Sequence, residues 1–94
     1  KAAAEQKAAA EKAAAELKAR KERAEISARN YYSNGVQISS YETLYYSPDY
    51  GSASSTTFRN NHLGTVYDYQ VSSDGWTIWL EVKSSEGNYW WVAR

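Results

Sequence analysis

The chain has 94 residues, enough for one compact domain and an appendage. Its formal net charge is zero, but residues 1–29 carry eight Lys or Arg against five Asp or Glu, and residues 30–94 carry three against six. The four Trp, nine Tyr and one Phe all lie in that acidic part, which lacks the basic surface that binding of DNA or RNA requires. The sequence has no run of 18 apolar residues, which excludes a membrane-spanning helix, and no cysteine, which excludes disulfides and thiolate metal sites.

The first 25 residues are built mainly from Ala, Glu and Lys and contain neither Gly nor Pro. These residue types head the scale of helix propensity. Opposite charges also recur four residues apart, where each pair stabilises a helix by about 0.2–0.5 kcal/mol. The pairs are Lys1 with Glu5, Lys7 with Glu11, Lys12 with Glu16, Glu16 with Arg20, Lys18 with Glu22, Lys21 with Glu25 and Glu25 with Arg29. The sequence therefore predicts a single helix over residues 1–29, ending at Asn30.

This helix lacks a wide apolar face. Leu17 and Ile26 are its only large apolar residues, so a stable coiled coil is not expected and the chain is predicted to be monomeric. The simplest interpretation is a solvated spacer; a helix that pairs with a partner is the alternative. The composition resembles both bacterial cell-surface stalks and the rigid helical linkers of engineered fusions, and the sequence leaves the choice between native and engineered open.

The periodicity changes after Asn30. Short segments rich in Val, Ile, Thr, Tyr and Trp alternate with turn signals, which predicts β-strands at residues 36–39, 43–47, 64–71, 76–82 and 89–93. In the fourth strand, Trp76 is expected to lie on the core face with Ile78, Leu80 and Val82, and Trp79 on the polar face. Five short strands and one long loop, residues 48–62, predict a mainly β fold over residues 30–94: a small, SH3-like, partly open barrel of about five to seven strands.

Several motifs give this part a family likeness. SYETLY at residues 40–45, VYDYQVSSDG at 66–75, Trp79, Gly87 and WWVAR at 90–94 resemble the bacterial SH3 domains of lysostaphin-type cell-wall hydrolases. The resemblance implies a non-catalytic module that binds bacterial peptidoglycan, at its peptide stem or cross-bridge. It also implies an extracellular or cell-wall location, as part of a larger secreted protein. The family continues past its closing arginine with a further strand, so either residues 30–39 replace that strand or the barrel is incomplete.

Carried over by position, the family's groove implicates five residues, and two aromatic neighbours join them. The expected ligand-binding residues are Thr43, Tyr45, Tyr69, Val71 and Trp90, with Tyr46 and Tyr50. We expect Tyr45, Tyr69 and Trp90 to form one continuous surface with Tyr50 at its rim. Because Trp90 and Trp91 are adjacent in a strand, one must point outward, and Trp90 is predicted to be that one, with Trp91 inside.

The residues give less support to two alternative functions. VYDYQ at 66–70 and SEGNYWW at 85–91 echo eukaryotic signalling SH3 domains, which would make the chain a protein-interaction adaptor that binds an extended peptide. The spacing between the two segments is too short for that family. Catalysis has less support, because His62 is the only histidine, the carboxylates are scattered, and no nucleophile elbow or phosphate loop is present. No catalytic residue, metal site or cofactor is therefore expected.

Overall fold

The computed structural model describes residues 2–94 and begins with one long helix, α1, over Ala2–Asn34. Lys1, where the predicted helix starts, lies outside the described residues. The predicted end near Asn30 is wrong, since α1 continues for another turn. It ends because Gly35 adopts a φ of 83° and its N–H donates to the Tyr31 carbonyl at 2.7 Å, an arrangement in which glycine avoids the strain of a side chain. Ser33-Asn34-Gly35 therefore caps the helix and does not follow it.

Five strands form two small antiparallel sheets. In the first sheet, β1 (Val36–Ile38) pairs with β2 (His62–Gly64); in the second, β3 (Val66–Val71), β4 (Ile78–Lys83) and β5 (Tyr89–Ala93) pair in chain order. The predicted strand at residues 43–47 is reduced to isolated bridges from Tyr45 to Ala53 and Trp91, and a 3-10 turn covers Tyr50–Ser52. Within residues 2–94 the sheets do not close into a barrel.

The three-stranded sheet presents two different faces because alternate side chains point to opposite sides. The core face follows from the register of the strands and carries Val66, Tyr69, Val71, Ile78, Leu80, Val82, Trp90 and Val92. The opposite side, called the outer face from here on, carries Asp68, Gln70, Trp79, Glu81, Lys83, Tyr89, Trp91 and Ala93 from the strands. Tyr45 joins the outer face because it pairs with Trp91, each N–H donating to the other's carbonyl at 2.8 Å.

The last third of α1 packs on the core face. Ala28 is completely buried and Ala24 nearly so, because their small side chains let the helix approach β3 and β4 closely. The Tyr69 hydroxyl donates a hydrogen bond to Glu25 at 3.2 Å, and Glu25 also forms a salt bridge with Arg29 at 3.3 Å. The predicted boundary between residues 29 and 30 therefore falls inside a helix that is packed on the sheet.

A second contact holds α1 to the β3–β4 turn. The Arg20 guanidinium lies 4.2 Å from the centre of the Trp76 ring, and its Nε donates to the Asp74 carbonyl at 2.7 Å. Trp76 is 71% exposed, so its predicted place in the core is wrong. The reason is that β4 begins at Ile78, and Trp76 belongs to the turn, which Gly75 makes possible with a φ of 75°. The predicted core face of Ile78, Leu80 and Val82 is confirmed.

Arg94 connects the end of β5 to the segment after β1. Its guanidinium donates hydrogen bonds to both oxygens of Glu42 and to the Gln37 carbonyl, the last at 2.6 Å. The hydrogen bonds that Arg94 donates to Glu42 raise the pKa of Arg94 above its ordinary value, against the opposing effect of burial. Through the Gln37 carbonyl, Arg94 links the end of β5 to β1 of the other sheet. Among the described residues, no helical segment is apolar over the length that crossing a membrane requires.

Ala28→Asp should destabilise the domain strongly, because the new carboxylate would be buried against the sheet without a partner. We expect the free energy of unfolding to fall by about 3 kcal/mol or more. Ala14→Asp is the matched control, since it makes the same change at an exposed position of α1 and should cost about 0.7 kcal/mol or less. Thermal unfolding followed by Trp fluorescence measures both. Equally small effects would show that α1 does not pack on the sheet.

Candidate ligand-binding site

A cavity of about 740 Å³ opens between the long loop and the β4–β5 hairpin. Its floor is apolar, because the buried side chains of Leu44 and Trp90 line it from the core face. Phe58 and Tyr67 add aromatic surface at its sides. The remaining lining residues are polar or charged: Thr56, Thr57, Arg59, Asn60, His62, Lys83, Ser84, Ser85, Glu86 and Asn88. An aromatic floor with hydrogen-bonding walls suits a ligand that has both apolar and amide or hydroxyl groups.

The hairpin wall is fixed by its own turn. The Ser84 N–H donates to the Asn88 carbonyl at 2.8 Å, and the Gly87 N–H donates to the Ser84 carbonyl at 3.0 Å. Gly87 has a φ of 91°, a conformation that favours glycine. The Asn88 N–H also donates to the Ser84 hydroxyl at 3.2 Å. These bonds hold the polar side chains of residues 84–88 along one side of the cavity.

The loop wall is held by an aromatic contact and by hydrogen bonds. The rings of Phe58 and His62 meet edge to face with centres 4.4 Å apart, and Phe58 also packs on the core. The Asn61 side-chain oxygen accepts a hydrogen bond from the Ser40 N–H at 2.7 Å. His62 Nδ1 lies 3.4 Å from the Asn60 carbonyl. Within residues 2–94, no group of three or more His, Asp or Glu side chains is placed to hold a metal ion.

The outer face carries a second group of aromatic rings. The ring centre of Trp79 lies 5.0 Å from that of Tyr45 and 4.8 Å from that of Tyr50, both in edge contacts. The Tyr50 hydroxyl lies 3.2 Å from Thr77 Oγ1, and the 3-10 turn carrying Tyr50 is capped by Asp49, whose carboxylate accepts from the Gly51 N–H. Trp79 is thus on the outer face, as the alternation predicts, yet only 3% exposed because Tyr45 and Tyr50 cover it.

The predicted orientation of the last strand is wrong. Trp90 pairs with Val82 on the core face and is 9% exposed, whereas Trp91 pairs with Glu81 on the outer face and is half-buried. Tyr46, itself 67% exposed, lies over Trp90 with ring centres 5.2 Å apart. The signal was available in the sequence, because Val92 is the aliphatic residue of β5 and residues two apart share a face.

The expected single groove is divided among three places. Tyr45 and Tyr50 lie on the outer face, and Trp90 lies in the cavity with Tyr46 beside it. The other expected residues lie elsewhere. Tyr69 and Val71 are on the core face, half-buried against the cluster that α1 covers, and Thr43 is exposed just before the bridge at Tyr45. A continuous surface of Tyr45, Tyr69 and Trp90 is therefore wrong, because strand register sends Tyr69 and Trp90 inward and Tyr45 outward.

The sequence predicts the long loop at residues 48–62, but it does not predict which side chains form the cavity. Arg59, Asn60 and Asn88 carry no pattern of their own, since polar residues in a loop and a hairpin are ordinary. Their shared position depends on how the loop folds back over the β4–β5 hairpin. No family model matches this chain, and neither a curated protein nor a solved structure matches it.

The two adjacent Trp residues should differ in their effect on stability. We expect Trp90→Ala to lower the free energy of unfolding by about 3–5 kcal/mol, because it removes a buried ring from the core. Trp91→Ala should cost about half of that or less, because Trp91 is half-buried on the outer face. Urea unfolding followed by far-UV circular dichroism measures both without depending on the Trp signal. A larger loss from Trp91→Ala would place the register of β5 one residue off.

Proposed function

We propose that this chain is a non-catalytic binding module that recognises bacterial cell-wall peptidoglycan, at its peptide stem or cross-bridge. The observation that carries the proposal is the cavity with Leu44 and Trp90 at its floor and the long loop and β4–β5 hairpin as walls. Its volume of about 740 Å³ lies in the range of ligand pockets, about 300–1,000 Å³. Peptide stems and cross-bridges offer both amide groups, for the polar walls, and short aliphatic groups, for the Trp90 ring.

The arrangement of strands supports an SH3-like architecture as part of the same proposal. After β1 the chain makes a long loop, enters β2 and β3, and continues through two hairpins to β5. Tyr45 extends the second sheet at its β5 edge. This order agrees with the motifs at residues 40–94 that resemble bacterial SH3 domains. The long loop and the segment around Leu44, which follows Thr43 of the expected groove, both contribute to the cavity.

The free part of α1 suits a spacer between the module and whatever it is joined to. Residues 3–16 are exposed throughout, and the helix contacts the sheet only toward its C-terminal end. The 18 residues from Ala2 to Ala19 would span about 27 Å at 1.5 Å per residue. In the proposed setting, this arm separates a wall-bound module from the rest of a larger secreted protein, outside the cell.

Binding to purified peptidoglycan tests the proposal. The chain should sediment with peptidoglycan from at least one Gram-positive species and should not reduce the turbidity of the suspension. The double variant Arg59→Ala, Asn88→Ala removes polar groups from both walls of the cavity without touching the core, and should weaken binding at least tenfold, about 1.4 kcal/mol. The matched control is Arg23→Ala, Asn30→Ala, which changes the same residue types on the exposed side of α1.

Three results would contradict the proposal. Equal wall binding by the cavity variant and its control would place the site elsewhere on the molecule. Absence of wall binding together with saturable binding to a peptide array would favour the adaptor function. Lysis of the peptidoglycan by the purified chain would overturn the non-catalytic assignment.

A further inference from the structure

One row of side chains crosses the outer face at the middle of the sheet. Strand register places Asp68 beside Glu81, Glu81 beside Trp91, and Trp91 beside Tyr45. Neighbouring side chains in such a row are about 4.5–5.5 Å apart at their Cβ atoms. The row therefore puts two carboxylates next to each other and two aromatic rings immediately after them. It lies on the opposite side of the sheet from Leu80, Val92 and the packed part of α1.

No basic side chain within residues 2–94 forms a salt bridge with either of the two carboxylates. The salt bridges among residues 2–94 join Glu25 to Arg29 and Glu42 to Arg94, and neither involves Asp68 or Glu81. Asp68 accepts one hydrogen bond, from the Tyr69 N–H at 2.8 Å. Lys83 lies two residues from Glu81 on the same face, but its ammonium sits over the Tyr89 ring, 5.4 Å from the ring centre, and belongs to neither of those salt bridges. Like charges directly opposite each other destabilise a sheet, so this pair carries a cost in the free domain.

The aromatic part of the row is an apolar surface beside that negative charge. Trp91 and Tyr45 are half-buried, which leaves part of each ring open to solvent, and Tyr50 is exposed beside them. Aromatic rings attract organic cations through the negative potential of their faces, and adjacent carboxylates add direct charge attraction. The part of the chain from residue 30 onward is also acidic overall, with three basic against six acidic residues.

We propose that this row binds a peptide segment that carries a primary ammonium group, such as a lysine side chain. The ammonium lies between the carboxylates of Asp68 and Glu81, and the aliphatic stem of the side chain packs on Trp91. Charge complementarity selects this occupant, because a neutral or anionic segment would leave the carboxylate pair as costly as in the free protein. None of the four residues of the row lines the cavity, so the site does not depend on the proposed wall-binding function.

The proposal has a signature that a structural role would not produce. If the carboxylate pair serves ligand binding, neutralising one carboxylate should remove the repulsion in the free protein and at the same time weaken ligand binding. Glu81→Gln should therefore keep or raise the melting temperature and at the same time reduce affinity. A side chain that serves only the fold would show the opposite, with a lower melting temperature.

A titration followed by amide and indole NMR signals tests the site. The probe is the blocked peptide Gly-Ala-Lys-Ala-Gly, compared with the same peptide in which the lysine amine is acetylated. We expect the lysine peptide to shift the Trp91 indole and the amides of β4, and acetylation to weaken binding at least tenfold. Glu81→Gln should have a similar effect, and Glu22→Gln, which removes one charge from the exposed side of α1, should have none.

Three results would overturn the proposal. Equal affinity for the acetylated peptide would show that the lysine ammonium charge does not contribute to binding. Equal effects of Glu81→Gln and Glu22→Gln would show that the peptide responds only to the net charge of the protein. Absence of saturable shifts at millimolar lysine peptide, or shifts confined to Trp90 and the hairpin, would show that the outer face holds no such site.

Discussion

A three-stranded sheet has two faces to cover, and residues 2–94 form only one α-helix. The helix covers the core face, where Ala24 and Ala28 bring it close enough to bury Leu80 and Val82 completely. The rest of the fold depends on how the other segments cover the surfaces that the helix does not reach. The apolar residues of β1 and the segment at Leu44 complete the core from the side. The outer face has no helix and must be covered by loops and by its own side chains.

The outer face is covered only in part, and that leaves it available for ligands. A loop folds back so that Tyr50 meets Trp79 beside Tyr45, which buries the Trp79 side chain. Beyond this cluster, the row of Asp68, Glu81 and Trp91 stays accessible. The cavity above Trp90 remains open between the long loop and the β4–β5 hairpin. The two candidate sites are thus consequences of one constraint, too few elements to close a small sheet.

The sequence predicted what local patterns encode. Helix propensity gave α1, and alternation gave the inward set of Ile78, Leu80 and Val82, because both depend on neighbours in the chain. The errors arose where distant segments decide. Alternation puts Trp79 on the correct face, but its burial comes from a loop some thirty residues earlier. Tyr69, which is expected on the exposed side, is turned toward a helix forty-four residues away. The Trp90–Trp91 orientation was encoded locally but was judged from the family resemblance. The cavity depends on a loop conformation that no periodicity records.

Native-state hydrogen exchange tests most directly whether the end of α1 belongs to the domain. If it does, the amides of residues 24–31 should open only with global unfolding and give the same free energy as the amides of β4. Amides near the start of α1 should exchange with little protection, since that part of the helix is exposed. The contradicting result is a whole helix that exchanges as one weakly protected unit while β4 remains fully protected, because the sheet would then be stable without it.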